Sequence, residues 1–375
     1  MKDVCRFALW RLAMALVCLW PMGLSSVGCA WFGGKAKPAW VDGTTSEYPP
    51  AQYLTGVGQA ADRNTASDQA YAAVARIFKA EVAAQAKDWE SYLLIEHRGS
   101  SNTERRLTLD NVTKVSTDKV LENVRIMETW YEANKNLHYA LAVMNRVQAE
   151  AALIERMATL DLAVKADVTE SRQTTDKLTK IRDLRRAARN LVLREAYNAD
   201  LRVIRPSGQG MASAYRVDEL STELEQFLAT NLLLGVQVSG DHAEPIQRAL
   251  AEGLIREGLR VTTETTGGEG VSPELLVRGI VEFFPIEVRD PLFKYVRWCS
   301  DFDVVETATQ RVVGAVTRGG KEGHLTEREA TARTLRVVQK EFSWDLAKAI
   351  AAHIYGEAAL PMPAAMPAGC PREQR

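Results

Sequence analysis

The sequence predicts a mixed α+β protein, with two small sheet-plus-helix domains joined by a helical pair after a signal peptide and a tether. Three observations predict it. Up to Val143 the apolar residues follow a strand, helix and hairpin order; from Asn145 to Ile204 their period lengthens to that of a helix. After the break at Pro206-Ser207-Gly208-Gln209-Gly210, an order β-α-β-β-β-β-α follows, which suits a mixed sheet with helices on one face. The 375 residues, 46% hydrophobic and 25% charged, are ordinary globular usage and enough for two or three domains.

Residues 1–28 read as a lipoprotein signal peptide. Lys2, Arg6 and Arg11 form a positive end, Leu12 to Leu24 is nearly all apolar, and Ser25-Ser26-Val27-Gly28-Cys29 closes the segment. Gly28 and Cys29 are as the bacterial lipobox requires, whereas Ser26 stands where Leu is usual. Cleavage by the ordinary signal peptidase, or a retained anchor, are the alternatives, although a span wants about 20 apolar residues and Pro21 interrupts this shorter run. Cys29 is the expected lipid-attachment residue. Each buried methylene of a palmitate-class chain contributes ~0.8 kcal/mol, so two or three chains anchor the polypeptide durably in a bilayer. Ala30 follows, where lipoprotein families often carry an aspartate that retains them at the inner membrane, and this favours the outer membrane.

Residues 29–50, rich in Gly, Pro, Lys and Trp, read as a tether stiffened by Pro38, Pro49 and Pro50. Residues 51–143 form the first α/β domain. Tyr53 to Gly58 is a short strand, and Asp62 or Asn64 caps a helix carrying Ala66, Ala70, Val74, Ile77, Phe78 and Val82 on one stripe. Its alanines imply that it lies close to a sheet. Val124 to Tyr131 and Leu137 to Val143 are the strands of a hairpin. Residues 144–205 are two helices folded back on each other, with the polar segment Asp167 to Asp176 between their stripes.

Residues 220–356 form the second domain. Its expected elements are a strand from Asn231 to Ser239, a helix from Glu244 to Gly258, a strand at Leu259 to Thr263, and three longer strands. Those are Leu275 to Val288, Lys294 to Thr307 and Arg311 to Arg318, followed by a helix from Thr326 to Tyr355. Residues 357–375, rich in Ala and Pro, read as a disordered tail. Cys5 and Cys18 leave with the signal. Cys299 and Cys370 have the option of pairing in an oxidising space, but no disulfide on which the fold depends is expected from a cysteine in such a tail.

Several constellations suggest chemistry. Gly56-Val57-Gly58-Gln59-Ala60-Ala61 fits a dinucleotide turn, but hardly three strand residues precede it and no acidic residue ends a second strand. A glycine pair that lets a helix approach a strand is the preferred reading. Ser116 and Lys119 fit S-x-x-K without the companion Ser-Asp-Asn or Lys-Thr-Gly, and read as a polar turn. Asp301 and Asp303 alternate on one strand face; they suit a cation or an acid/base pair, and more commonly the solvated side of a strand. His97, His138, His242, His324 and His353 show no ligand spacing, and no metal or other cofactor is expected. Arg182, Arg185, Arg186, Arg189 and Arg194 give the second helix a basic side, read as a solvated face with anionic lipid or cell-wall polymer as the alternative. Trp31, Phe32, Trp40, Trp130, Tyr131 and Trp298 are aromatic candidates for partner contacts or for cores. The net charge of −1 argues against a nucleic-acid partner.

Pro38-Ala39-Trp40, Tyr53 to Gly58 with the alanine-rich helix after it, Ile126 to Tyr131 and Tyr139 to Ala142 resemble the twenty-kilodalton, LPP-type outer-membrane lipoproteins over roughly residues 36 to 160. The part from Asn231 onward resembles the N-terminal domain of TolB and the related curli-secretion and penicillin-binding-protein-activator lipoproteins, through its element order and Leu275-Leu276-Val277-Arg278-Gly279. Flagellar assembly protein T joins similar parts. The resemblance implies a periplasm-facing, lipid-anchored outer-membrane protein, not an enzyme, that binds or scaffolds in flagellar, secretory or cell-wall assembly. Its implied partners are the bilayer, envelope proteins and peptidoglycan. A hydrolase using Asp301, Asp303 or Ser116, and a surface-exposed adhesin or antigen, are the competing readings.

Overall fold

In the computed structural model the described residues are 36–43, 45–85, 89, 111–115, 118, 121–262, 272–287, 292–360 and 367–371. β1 (Tyr53–Ala60), β2 (Val124–Glu132) and β3 (Leu137–Asn145) form an antiparallel sheet in the order β1-β3-β2. β1 and β3 pair from Tyr53 opposite Asn145 to Ala60 opposite His138, so Ala60 and the β2–β3 hairpin turn share one end of the sheet. The Asp62 carboxylate accepts from the Thr65 backbone N–H at 2.9 Å and starts α1 (Arg63–Gln85), whose Ala66, Ala70, Val74 and Phe78 are buried. The expected alanine stripe is the packed one, except that Ile77 is exposed.

The other face of this sheet holds Tyr139, Leu141 and Val143 under Trp40 and Tyr48. Part of the expected tether is therefore body. A 3-10 turn at Ala39–Asp42 brings Trp40 down on β3, and its indole N–H donates to Glu128 at 2.6 Å. Two aromatic rings facing an apolar strand gain more from burial than from remaining in solvent, at about 25 cal/mol per Å².

α2 (Arg146–Gln173) and α3 (Lys177–Ile204) are antiparallel helices of 28 residues each. The polar stretch expected to separate them instead continues α2 to Gln173, because Asp167 and Ser171 face α3; only Thr174 to Asp176 turn the chain. Asp176 caps α3 by accepting from Leu178 N–H at 2.9 Å, and Arg146 donates to the Val203 and Ile204 carbonyls at its far end at 2.8 and 2.5 Å. α3 enters every main core. Leu178, Ile181 and Leu184 lie in the core of the second sheet, Ala187, Leu191 and Val192 in a middle cluster, and Tyr197, Leu201 and Ile204 under the first sheet. α4 (Val217–Asn231), not expected from the sequence, packs along it through Leu220, Leu224 and Leu228.

The second sheet has the order β5-β4-β6-β7-β8, built from β4 (Leu234–Gly240), β5 (Val261–Thr262), β6 (Leu275–Ile286), β7 (Lys294–Glu306) and β8 (Arg311–His324). β4 runs parallel to β5 and β6, and the remaining pairs are antiparallel. One face is covered by α5 (Ala243–Arg256), α6 (Glu327–Glu341) and α7 (Ala347–Ile354), the last two joined by a π turn at Phe342–Leu346. Phe302 meets Phe342 edge-on at 5.3 Å, and Gly279 makes room for it, since a Cβ there would stand 2.5 Å from the Phe302 ring. β8 runs past the expected end at Arg318 because Gly319 and Gly320 lie beneath Cys370 and Trp298.

The C-terminal tail, expected to be disordered and to form no bond of consequence, is tied down where it is described. Cys370 is disulfide-bonded to Cys299, across a sequence separation of 71, and the Arg297 guanidinium donates to the Gly369 carbonyl at 2.6 Å. Leu360 packs near Gly314 on the helix-covered face, while Pro367 and Cys370 lie by Gly319 on the opposite face. A buried cysteine on β7 and an apolar Leu360 give the tail contacts that its composition does not advertise.

Candidate functional site

Cys29, Trp31, Phe32, His97, Ser116 and Lys119 lie outside the described residues. The remaining expected site residues do not gather at one place.

Gly56 and Gly58 are the closest approach of β1 to α1. A Cβ on Gly58 would lie 2.1 Å from the Ala66 carbonyl oxygen and 2.3 Å from the Ala70 nitrogen. The helix backbone fills the space that a pyrophosphate would need, so this is packing.

Asp301 and Asp303 share the helix-free face of the second sheet, in a groove of about 650 Å³ with Gln237, Ser239, Arg278 and Ile280. Asp303 stands directly across from Arg278 in the strand ladder. Among the described residues no group of three His, Cys, Asp or Glu side chains could hold a metal.

The basic side of α3 is solvated only in part: Arg185 and Arg194 are buried and Arg182 half-buried, whereas Arg186 and Arg189 are exposed as expected. Arg194 is fully buried and donates to Asp161 (3.1 Å), Glu195 (2.8 Å) and the Met211 and Ala212 carbonyls (2.8 and 3.0 Å). Arg186 spans Asp167 and Asp183 at 2.6–2.8 Å, and burial pushes the Asp183 carboxyl up. Arg185 pairs with Glu357 beneath the Tyr355 ring, and Arg182 donates to the His353 carbonyl at 2.9 Å. Arg189 is exposed. These side chains join α3 to α2, to the 211–212 segment and to the tail, which left no trace in the helical pattern.

Of the histidines, His138 stacks on Tyr131 with centroids 4.6 Å apart, and His324 meets Glu329 at 2.9 Å. His242 caps α5 with a left-handed backbone, φ 52°. Buried His353 accepts from the Leu360 N–H at 3.2 Å through Nδ1; burial, with Arg182 beside it, pushes its basicity down.

One place was not foreseen. A cavity of about 610 Å³ between α3 and α4 is lined by Trp89, Glu195, Asn198, Arg202 and Tyr215, residues scattered too widely for any spacing to reveal. The hairpin end of the first sheet gathers Trp130 and Tyr139 at 5.3 Å, with Tyr131 donating to Asn136 at 2.8 Å. There Lys135 pairs with Glu132 at 3.0 Å, and Tyr139 donates to the same carboxylate at 3.0 Å. The Lys135 ammonium, helped by Tyr139 and by Lys37, holds Glu132 below the usual carboxylate range. Among the described residues no helix is long and apolar enough to cross a membrane.

No curated protein matches the chain. Among solved structures, the chain is similar to a minor lipoprotein from Acinetobacter baumannii at 14% identity and TM-score 0.24, over 34% of this chain and 95% of that one. It is also similar to the secreted protein HP1454 from Helicobacter pylori at 15% identity and TM-score 0.36, over 80% of this chain and 97% of that one. These scores are too low to define a shared fold. A family model described as LPP20 lipoprotein matches residues 38–145 of this chain, the part that holds the first sheet with its glycine pair, alanine helix and hairpin.

Proposed function

We propose that the chain is an exported lipoprotein, acylated at Cys29 and held on the periplasmic side of the outer membrane, which binds or scaffolds partners in envelope assembly and catalyses nothing. The observation that carries this reading is the lipoprotein-family match over residues 38–145, which begins nine residues after Cys29 at the end of a signal-like segment. The Cys299–Cys370 bond adds support, since disulfides persist in oxidising compartments. A binding role is supported by the employment of chemically able side chains in the frame: buried Arg194 paired with Asp161, Arg186 paired with Asp167, and Asp303 across from Arg278.

The test is to label cells with a fatty-acid analogue, separate inner and outer membranes, and crosslink the wild type beside Cys29→Ala. Label in the wild type, with loss of membrane association and crosslinks in the variant, is the expected result. An unlabelled wild type, or a variant with the same membrane fraction and crosslinks, sinks the reading.

A further inference from the structure

The two sheets sit at opposite ends of α3. Ile204 lies under the first sheet, whereas Leu178 is in the core of the second, and Lys177 pairs with Glu274 beside it at 3.0 Å. Twenty-eight helical residues span about 42 Å. Within the first sheet the direction is also fixed. α2 leaves from Asn145 at one end; the β2–β3 turn, the end of β1 and the start of α1 lie at the other, and α1 runs from there until Val82 reaches the middle of α3. The molecule therefore has a long axis, with the hairpin end of the first sheet at one extreme.

The described chain begins at that extreme. The 3-10 turn after Lys37 packs on β3, with Val41 beside Gly58 and Tyr139, and Lys37 pairs with Asp42. Cys29 lies seven residues before Ala36, and seven peptide units reach at most about 25 Å. Whatever holds Cys29 lies within that distance of the hairpin end. Tyr131, 47% exposed, stacks on His138 on one face of the sheet, half-buried Trp130 covers buried Tyr139 on the other, and the exposed Lys37 and Lys135 flank this end. Rings with one wet edge, interleaved with lysines and with acids already paired to them, suit the layer of phosphate and glycerol groups at a bilayer surface.

We infer that the hairpin end of the first sheet docks on phospholipid headgroups, so that α3 holds the five-stranded sheet some 40 Å farther from the bilayer. This rests on the acylation of Cys29 proposed above. The lipid supplies affinity and the hairpin end supplies orientation, which converts a tethered body into a post of defined height. A partner would then be met by the second sheet at that height and not at the membrane surface.

The test uses the full-length acylated protein in vesicles of phosphatidylethanolamine and phosphatidylglycerol. After processing, the described thiols are in the Cys299–Cys370 disulfide, so Ala133→Cys at the β2–β3 turn or Ala308→Cys at the β7–β8 turn offers a single site for a fluorophore. Vesicles carrying a headgroup-level spin-labelled lipid are expected to quench the label at 133 at least about threefold more than that at 308. Adding Tyr131→Ser and Lys135→Glu to Ala133→Cys should lower its quenching about twofold while vesicle binding persists. Vesicle-bound protein with equal quenching at both sites overturns the docked orientation and leaves the anchor intact. Protein without acyl mass that fails to bind vesicles overturns the anchor, and this inference with it.

Discussion

Gly58→Ala is the sharpest perturbation of the first sheet and its helix. The new methyl would stand 2.1 Å from the Ala66 carbonyl oxygen and 2.3 Å from the Ala70 nitrogen, where ordinary contact begins near 3.4 Å. Both obstacles are helix backbone, so no rotamer relieves them and α1 must withdraw by about 1.3 Å at that point. Withdrawal opens the layer formed by Ala66, Ala70 and Val74 against β1 and β3. Overpacking of this sort costs about 3 kcal/mol, at the upper end of the usual range because the neighbours are stiff. Gly56→Ala should cost less, since its nearest backbone atom is 2.7 Å away and the next obstacle is the movable Val74 methyl at 2.8 Å. Urea unfolding followed by far-UV circular dichroism of the purified protein gives the ranking. Adding Ala66→Gly should not rescue Gly58→Ala, because the clash is with the carbonyl and not the Ala66 methyl. A Gly58→Ala protein as stable as wild type, or one restored by Ala66→Gly, refutes the close-packing argument.

Cys370→Ser, compared with wild type in the oxidised state, should lose roughly 4 kcal/mol of unfolding free energy, the chain-entropy value for a closed loop with a sequence separation of 71; added reductant should abolish the difference. Arg194→Met takes the donor from the Met211 and Ala212 carbonyls and from Asp161, leaves Glu195 with Asn198 alone, and should cost about 3 kcal/mol in the same assay; a change below about 0.5 kcal/mol would show that water replaces the guanidinium freely. Burial and Arg182 hold the folded His353 below its ordinary 6.5, so its neutral form stabilises the fold above that value and the contribution fades as pH falls below it toward the folded pKa. The urea midpoint of wild type should therefore drop between pH 7 and pH 5 more steeply than that of His353→Gln, and parallel slopes would remove His353 from the account.

Much of the fold is written in local pattern. Ala66, Ala70, Val74 and Phe78 at helical spacing, and the paired runs around Glu132 to Asn136, identify α1 and the hairpin without reference to the rest of the chain. The segment from Asp218 to Phe227 carries Leu220 and Leu224 in a helical stripe, so α4 was open to the same reasoning. β8 was cut short because Gly319 and Gly320 interrupt alternation, and their purpose depends on Trp298 and Cys370, which are remote or on another strand. Isolated helix periodicity turns the α3 arginines toward solvent, since it does not disclose Asp161, Asp167 or the 211–212 carbonyls.

By itself the sequence determined most local elements, α4 apart, the glycine contact of β1 with α1 and the lipoprotein-like start, all of which follow from neighbours a few residues apart. Tertiary structure alone decided that α3 enters both sheets' cores, that residues 38–48 cover the first sheet, and that the tail is bonded to β7 through Cys299. The physical reason is one of range. Periodicity and propensity act within a turn or a strand, whereas the partner of a buried arginine, an aromatic ring or a thiol is chosen by the chain's path through space.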